Sequence, residues 1–288
     1  MTTAPTDLVE VLRTTGAVRA FQDRAVDRAV VARVLDNARF APNGGNQQAW
    51  RVVLVENPAR RRALRVLYLG GRPEYLEQRT AGAQPWAPSG DRAAEASAVQ
   101  RARPMTADEA DAAPAGDFAA HLDRVPVLAV VLADLRLLAA TDRDLGRYQL
   151  VGGASIYPFV WSILLAARAE GLGGVLTTVA ITREPELKSL LGAPEEFAVA
   201  AVLALCHEAR VPVTAGTRSS RSPTSTPWTD HRSTVPDRGV GPAGPASVAA
   251  ALDPQPPTSM VCMSCAPAPA PGSAPAACGV MWHGSRGS

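Results

Sequence analysis

Apolar positions recur every three to four residues from Asp27 to Phe40, which predicts an amphipathic helix. Arg51 to Glu56 switches to a β-branched run and reads as a strand, and Pro58 to Leu67 returns to helical spacing. Val125 to Leu132 is an almost continuous apolar run, as is Ala198 to Leu205. Both predict strands buried on two faces. Ser155 to Glu170 predicts an apolar helix that ends at Gly171-Leu172-Gly173, a helix-stop pattern. Gly70 to Phe118 is the polar exception. Rich in Ala, Arg and Asp, and broken by Pro73, Pro85, Pro88 and Pro104, it is too long for a plain connection and predicts a partly helical lid.

Composition divides the chain. Periodic apolar segments fill 1–208, whereas 209–288 is dominated by Pro, Ser, Thr, Ala and Gly, a composition that cannot bury enough surface to offset its ordering entropy. That tail is expected to be disordered. Over 288 residues, 47% are hydrophobic, enough for a substantial core. No uninterrupted apolar run reaches spanning length and no basic-then-apolar leader opens the chain, so a cytoplasmic protein is expected. The net charge of +2, with arginines scattered among acids, gives no stripe for nucleic acid.

The chemistry concentrates in Pro42-Asn43-Gly44-Gly45-Asn46-Gln47-Gln48-Ala49-Trp50, which runs directly into the Arg51 strand. Side-chain amides carry both a donor and an acceptor, which suits the alternating edge of a flat heterocycle such as a flavin without adding charge. Trp50 is expected to pack the core beneath the loop. No Gly-x-Gly-x-x-Gly follows a strand and no nucleophile elbow is present. His121 and His207 read as structural. Cys262, Cys265, Cys278 and His283 reproduce the spacing of a small zinc site, but their Pro-Ala surroundings offer no core for a metal to nucleate, and no metal is expected.

Four motifs in order, Arg19-Ala20-Phe21, the Pro42–Trp50 loop, Gly152-Gly153-Ala154-Ser155-Ile156-Tyr157-Pro158 and Gly171 to Thr178, make residues 7 to 208 resemble the FMN-dependent nitroreductase family. The resemblance implies an α+β fold with a central mixed or antiparallel sheet flanked by helices, and a homodimer with FMN at the subunit interface. It implies hydride transfer from NADH or NADPH to FMN, then reduction of a nitroaromatic, quinone or similar electron-poor small molecule in a ping-pong cycle. Membrane and nucleic-acid partners are not implied. Arg19 is the candidate phosphate contact, with Arg13 a possible substitute. Pro42, Asn43, Asn46 and Gln48 would line the flavin ring. The backbone near Thr177, Thr178 and Val179 would face flavin N5, and no side chain is assigned a catalytic role.

Two alternatives stay open: a relative reducing activated alkenes or halogenated phenols, and a flavin-binding or flavin-scavenging protein with little turnover. Relatives usually continue into a basic arm that reaches the phosphate. Here Ser219 to Asp230 stands in its place, and GC-rich codons for that stretch, read in a shifted frame, can spell the expected arm. The tail is therefore expected to be frameshifted, genuinely or through sequencing.

Overall fold

The computed structural model describes residues 7–88, 90–103, 105–112 and 117–209, together with the backbone of Val261–Cys262 and Met281–Trp282. Four principal strands, β1 (Trp50–Leu54), β2 (Val127–Asp134), β3 (Gly173–Thr177) and β4 (Phe197–Cys206), pair antiparallel throughout in the order β3-β4-β2-β1. Two dipeptide strands, β5 (Val261–Cys262) and β6 (Met281–Trp282), extend the order beyond β1, where Val52 pairs with Val261. Those four residues depart from the disorder expected of the tail. The reason is the free edge of β1, whose unpaired backbone groups favour strand addition. The rest of that expectation, the frameshift and the zinc-like cysteine spacing fall outside the described residues.

Alternation along each strand loads both faces of the sheet. Val52, Leu54, Val131 and Leu203 face α2 (Arg28–Ala38) and α6 (Tyr157–Ala169), whose Val34, Leu35, Phe159 and Ile163 fill that side. Val53, Val130, Leu132 and Val202 face α3 (Pro58–Thr80) and α7 (Glu184–Leu191), with Leu64, Leu69, Leu187 and Leu191 opposite them. At about 1.5–3 kcal/mol per large side chain, these two layers dominate the folding energy. Asp27 caps α2 by accepting from the Ala29 N–H at 2.8 Å. Gly171, at φ 77°, ends α6 in the left-handed conformation, and the Leu172 N–H returns to the Ala167 carbonyl at 2.9 Å.

Three departures from the sequence pattern have physical causes. The helix expected to stop at Leu67 continues to Thr80 through Pro73. Burial of Tyr68, Leu69 and Gly71 along its length outweighs the backbone bond that Pro73 forfeits. The lid region beyond it adds α4 (Arg92–Arg101) and α5 (Ala107–Asp111). Val151–Ala169, a 3-10 turn (Val151–Ser155) leading into α6, is long and apolar enough by composition to cross a membrane, contrary to expectation. Its inner residues Phe159, Val160, Ile163 and Ala167 pack against α2 and the sheet, which is the place of a core helix. The pattern also missed α1 (Leu8–Thr14) and α7, although Asp7 at the first and Pro185 with Gly192 at the second are ordinary boundary signals.

Trp50 is 1% exposed and stacks on Phe159 with ring centroids 4.3 Å apart and planes 5° from parallel. This contact fixes the start of β1, and so the loop before it, to α6. Trp50→Ala is expected to cost about 3–5 kcal/mol of unfolding free energy in a denaturant titration, through lost stacking and a residual cavity.

Candidate functional site

The amide loop is held from within. Gly45, Asn46 and Gln48 all have left-handed backbones, at φ 59°, 52° and 47°. Asn and Gly tolerate that region better than most residues; Gln48 does so at a cost of order 1 kcal/mol. Asn43 supplies the compensation. Its Oδ1 accepts from the Gln48 N–H at 2.8 Å, while its Nδ2 donates to the Ala41 carbonyl at 3.2 Å and to Asn46 Oδ1 at 3.4 Å. The Gly44 N–H donates to Ser155 Oγ at 3.0 Å, and the Asp134 N–H donates to the Ala49 carbonyl at 2.8 Å. Asn43 thus braces the loop, and the amides facing outward are those of the exposed Asn46 and Gln47 and the half-buried Gln48. Pro42 is exposed at the loop entrance.

Two buried carboxylates steady the surroundings of this loop. Asp134 lies at the end of β2 and is paired with Arg136 at 2.7 Å. A hydrogen bond from Arg136 holds its pKa below the usual carboxylate value against the opposing effect of burial. Asp142 accepts from the Leu150 N–H at 2.7 Å, from the Val151 N–H at 3.2 Å and from Arg147 at 2.8 Å. The Leu150 backbone bond is the chief cause of its depressed pKa.

Thr177, Thr178 and Val179 sit where β3 leaves the sheet for the 3-10 turn Val179–Arg183. Thr177 is buried, Thr178 exposed and Val179 half-buried. The Val179 N–H makes only a long contact, 3.4 Å, to Thr177 Oγ1. Behind this turn stands α3: a Cβ on Gly71 would lie 2.4 Å from Thr182 Oγ1 and 2.9 Å from the Val179 carbonyl oxygen. Only a glycine lets the two segments approach so closely.

Arg19 lies in an extended segment along the outer edge of β3. The Val18 N–H donates to the Gly174 carbonyl at 2.9 Å, and the Ala209 N–H donates to the Ala20 carbonyl at 3.0 Å. The Arg19 side chain is exposed and forms no ion pair with a described residue. Beneath it, Arg168 bridges Glu208 at 3.1 Å and donates to Thr14 Oγ1 at 3.0 Å, tying α1, α6 and the end of β4 together. Burial pushes the Glu208 carboxyl up, against the pull of Arg168. Arg13 is on the exposed side of α1.

Sequence reasoning placed these residues around one ring. Within one chain the structure separates them into two groups. Arg19 and the Thr177–Val179 turn both lie along β3, Arg19 between the Val18–Gly174 and Ala20–Ala209 bonds near the start of the strand and the turn at its end. The amide loop enters β1, three strands away, or ~14 Å at the usual strand spacing.

A model of the nitroreductase family matches residues 12–205. The chain belongs to the nitroreductase family. Members of this family are flavin-dependent oxidoreductases. The chain is also similar to 5,6-dimethylbenzimidazole synthase of Rhodobacter capsulatus, 29% identical over 198 residues that cover 66% of this chain and 78% of that one. Among solved structures, a nitroreductase family protein from Clostridium difficile shares 18% identity over 78% of this chain and 99% of its own, with a TM-score of 0.48. Iodotyrosine deiodinase bound to FMN and 3-iodo-L-tyrosine shares 20% identity over 70% and 90%, with a TM-score of 0.47. The antiparallel sheet with helices on both faces is the α+β architecture that the resemblance implied.

The bracing role of Asn43 separates it from its neighbours by experiment. Asn43→Ala is expected to lower stability by about 1–3 kcal/mol, because the Gln48 N–H loses its partner, whereas Asn46→Gly keeps the left-handed backbone and leaves the melting temperature near that of the parent. Differential scanning calorimetry reads both. The depressed carboxylates set a pH dependence: their stabilisation is complete above the ordinary carboxylate range, near pH 4, and is lost as pH falls through their lower folded values. Asp142→Asn should remove part of that acid-side loss of melting temperature.

Proposed function

We propose that the chain is an FMN-dependent oxidoreductase, working as a homodimer, that takes hydride from NADH or NADPH and delivers it to nitroaromatics, quinones or related electron-poor acceptors. The observation that carries the proposal is the division of the candidate residues into two half-sites that one chain does not bring together. Two chains related by a two-fold axis would place the β3 edge of one against the amide loop of the other, completing two equivalent sites. The outward face of α6 supports this pairing. Tyr157 and Trp161 are 47% and 43% exposed there, and Tyr148 and Leu150, in the segment leading to α6, are 70% and 73% exposed. Large apolar groups gathered on one side of a chain mark an interface.

The residues fit a flavin mononucleotide. Arg19, free of ion pairs among the described residues, would meet the phosphate through charge-assisted hydrogen bonds. Asn46 and Gln48 would pair with the ring edge, while Asn43 keeps their loop in shape. The Val179 N–H, loosely engaged by Thr177, would turn to the reactive nitrogen of the ring as a fixed dipole. Bound FMN supplies the two-electron chemistry, accepting hydride and passing it on. The protein orients the ring, excludes water with α3 and the lid, and lets reductant and acceptor take turns at one face. Dependence on NAD(P)H implies a cytoplasmic setting.

A second reading rests on the 29% identity to 5,6-dimethylbenzimidazole synthase. Flavin absorbance of the purified protein, bleaching by NADPH and recovery on adding a nitroaromatic would support hydride transfer. A flavoprotein that does not bleach, or mass-spectrometric detection of 5,6-dimethylbenzimidazole, would overturn it.

Arg19→Ala is expected to weaken FMN about ten- to hundred-fold, since a charge-assisted contact contributes about 1.5–3 kcal/mol, while riboflavin affinity barely changes. Equal losses for both ligands would make Arg19 structural. Dilution should release flavin together with subunits; a stable monomer with stoichiometric FMN would contradict the dimer.

A further inference from the structure

Gly71, Tyr75 and Gln78 occupy positions i, i+4 and i+7 of α3 and share one face of the helix. Gly71 lies against the Val179 carbonyl, at the turn that leaves β3. The same face therefore continues past that turn for two helical turns, ~10 Å along the axis. There the chain folds back on itself. The Trp86 N–H donates to Gln78 Oε1 at 2.8 Å, and the Trp86 ring leans on Tyr75 with centroids 5.9 Å apart and planes tilted by 34°. Arg79 steadies Tyr75, donating to its hydroxyl at 3.3 Å with the guanidinium 5.8 Å from the ring centre.

Two features of this corner are left uncompensated. Trp86 holds a left-handed backbone at φ 51°, a conformation that bulky residues rarely adopt. Gln78 is 1% exposed, and its Nε2 is buried without a hydrogen-bond partner among the described residues. Because Oε1 is already engaged by Trp86, the unused group is a donor, and the ligand it lacks is an acceptor.

We propose that Tyr75, Gln78 and Trp86 form the acceptor-recognition element of the site read above: they select planar, electron-poor rings that carry an oxygen acceptor, such as a nitro group or a quinone carbonyl. The inference rests on the flavin reading for its chemistry. Indole and phenol present electron-rich faces, which stack favourably on electron-poor rings. The Gln78 amide, neutral and pre-positioned, donates to the ring's oxygen. Relaxation of the left-handed Trp86 admits the ring to both groups and the turn then closes over it, so the strain at Trp86 favours entry and the unpaired donor favours occupation. Rings without an oxygen acceptor stack but leave Nε2 unmatched, which disfavours them.

The full chain is tested with 4-nitrobenzamide as the ring probe and ferricyanide as an acceptor that cannot stack. Trp86→Leu and Gln78→Leu are expected to shift the ratio of the two kcat/KM values at least about tenfold against the ring, with Trp86→Phe recovering much of the loss. Ratios equal to the parent's in both leucine variants overturn the proposal. A readout independent of turnover is trypsin cleavage after the exposed Arg79 and Arg92, which flank the turn. 4-Nitrobenzamide should slow that cleavage in the parent and not in Gln78→Leu; cleavage unaffected in the parent contradicts the proposal. If the parent carries no flavin or is not bleached by NADPH, the flavin reading fails by itself, and the protection assay still decides whether the turn recognises the ring.

Discussion

Burial of β2 and β4 on both faces is the constraint on which the rest of this structure depends. Every residue of β2 is buried, and β4 is buried along nearly its whole length. Two apolar layers must then cover the sheet, with α2 and α6 on one side and α3 and α7 on the other. Polar chemistry has no place in such a centre, because an unpaired polar group there costs its full desolvation. It is confined to the edges and ends of the sheet, where loops leave the strands. The amide loop at the head of β1, the turn after β3 and the Arg19 segment along the β3 edge are such places.

The same constraint explains why the candidate residues do not converge within one chain. The central pair β4-β2 stands between the β3 edge and β1 and cannot be shortened without losing the core. In the dimer proposed above, reach across it comes from another copy of the chain, for which the apolar residues exposed on and beside α6 offer a surface. Gly71 and the Gly173 position play a matching role on a smaller scale. A Cβ at Gly173 would meet Val18 and Glu208 at 2.7 and 2.5 Å, so its absence brings the Arg19 segment against β3.

Much of this arrangement was legible in the residues. The β-branched run at Arg51 to Glu56, the apolar runs of β2 and β4 and the glycine stop at Gly171 have local causes, and they appear within a residue or two of their expected bounds. The passage of α3 through Pro73 was not legible, because the packing that sustains it involves residues distant in sequence. In the sequence Asn43 read as one of the residues lining the flavin ring, and its bracing of the loop was not foreseen. Its position before three left-handed residues, with an amide able to hold them, becomes visible only once the backbone angles are known. The Tyr75–Gln78–Trp86 corner has a sequence trace in its helical spacing, but the fold-back of Trp86 has none.

The central claim, that each site is assembled from the β3 edge of one chain and the amide loop of another, is tested most directly by mixing two defective variants. Arg19→Ala chains retain an intact loop, and Asn46→Gly chains retain an intact β3 edge. If the site is shared between chains, each mixed dimer contains one site with both elements intact; half the dimers of an equimolar, fully exchanged mixture are mixed, so FMN titration should recover a class of parental affinity at about a quarter of the parental stoichiometry. If both elements serve the same site within one chain, every site keeps one defect after mixing. Uniformly weak binding, with no parental class, would contradict the account.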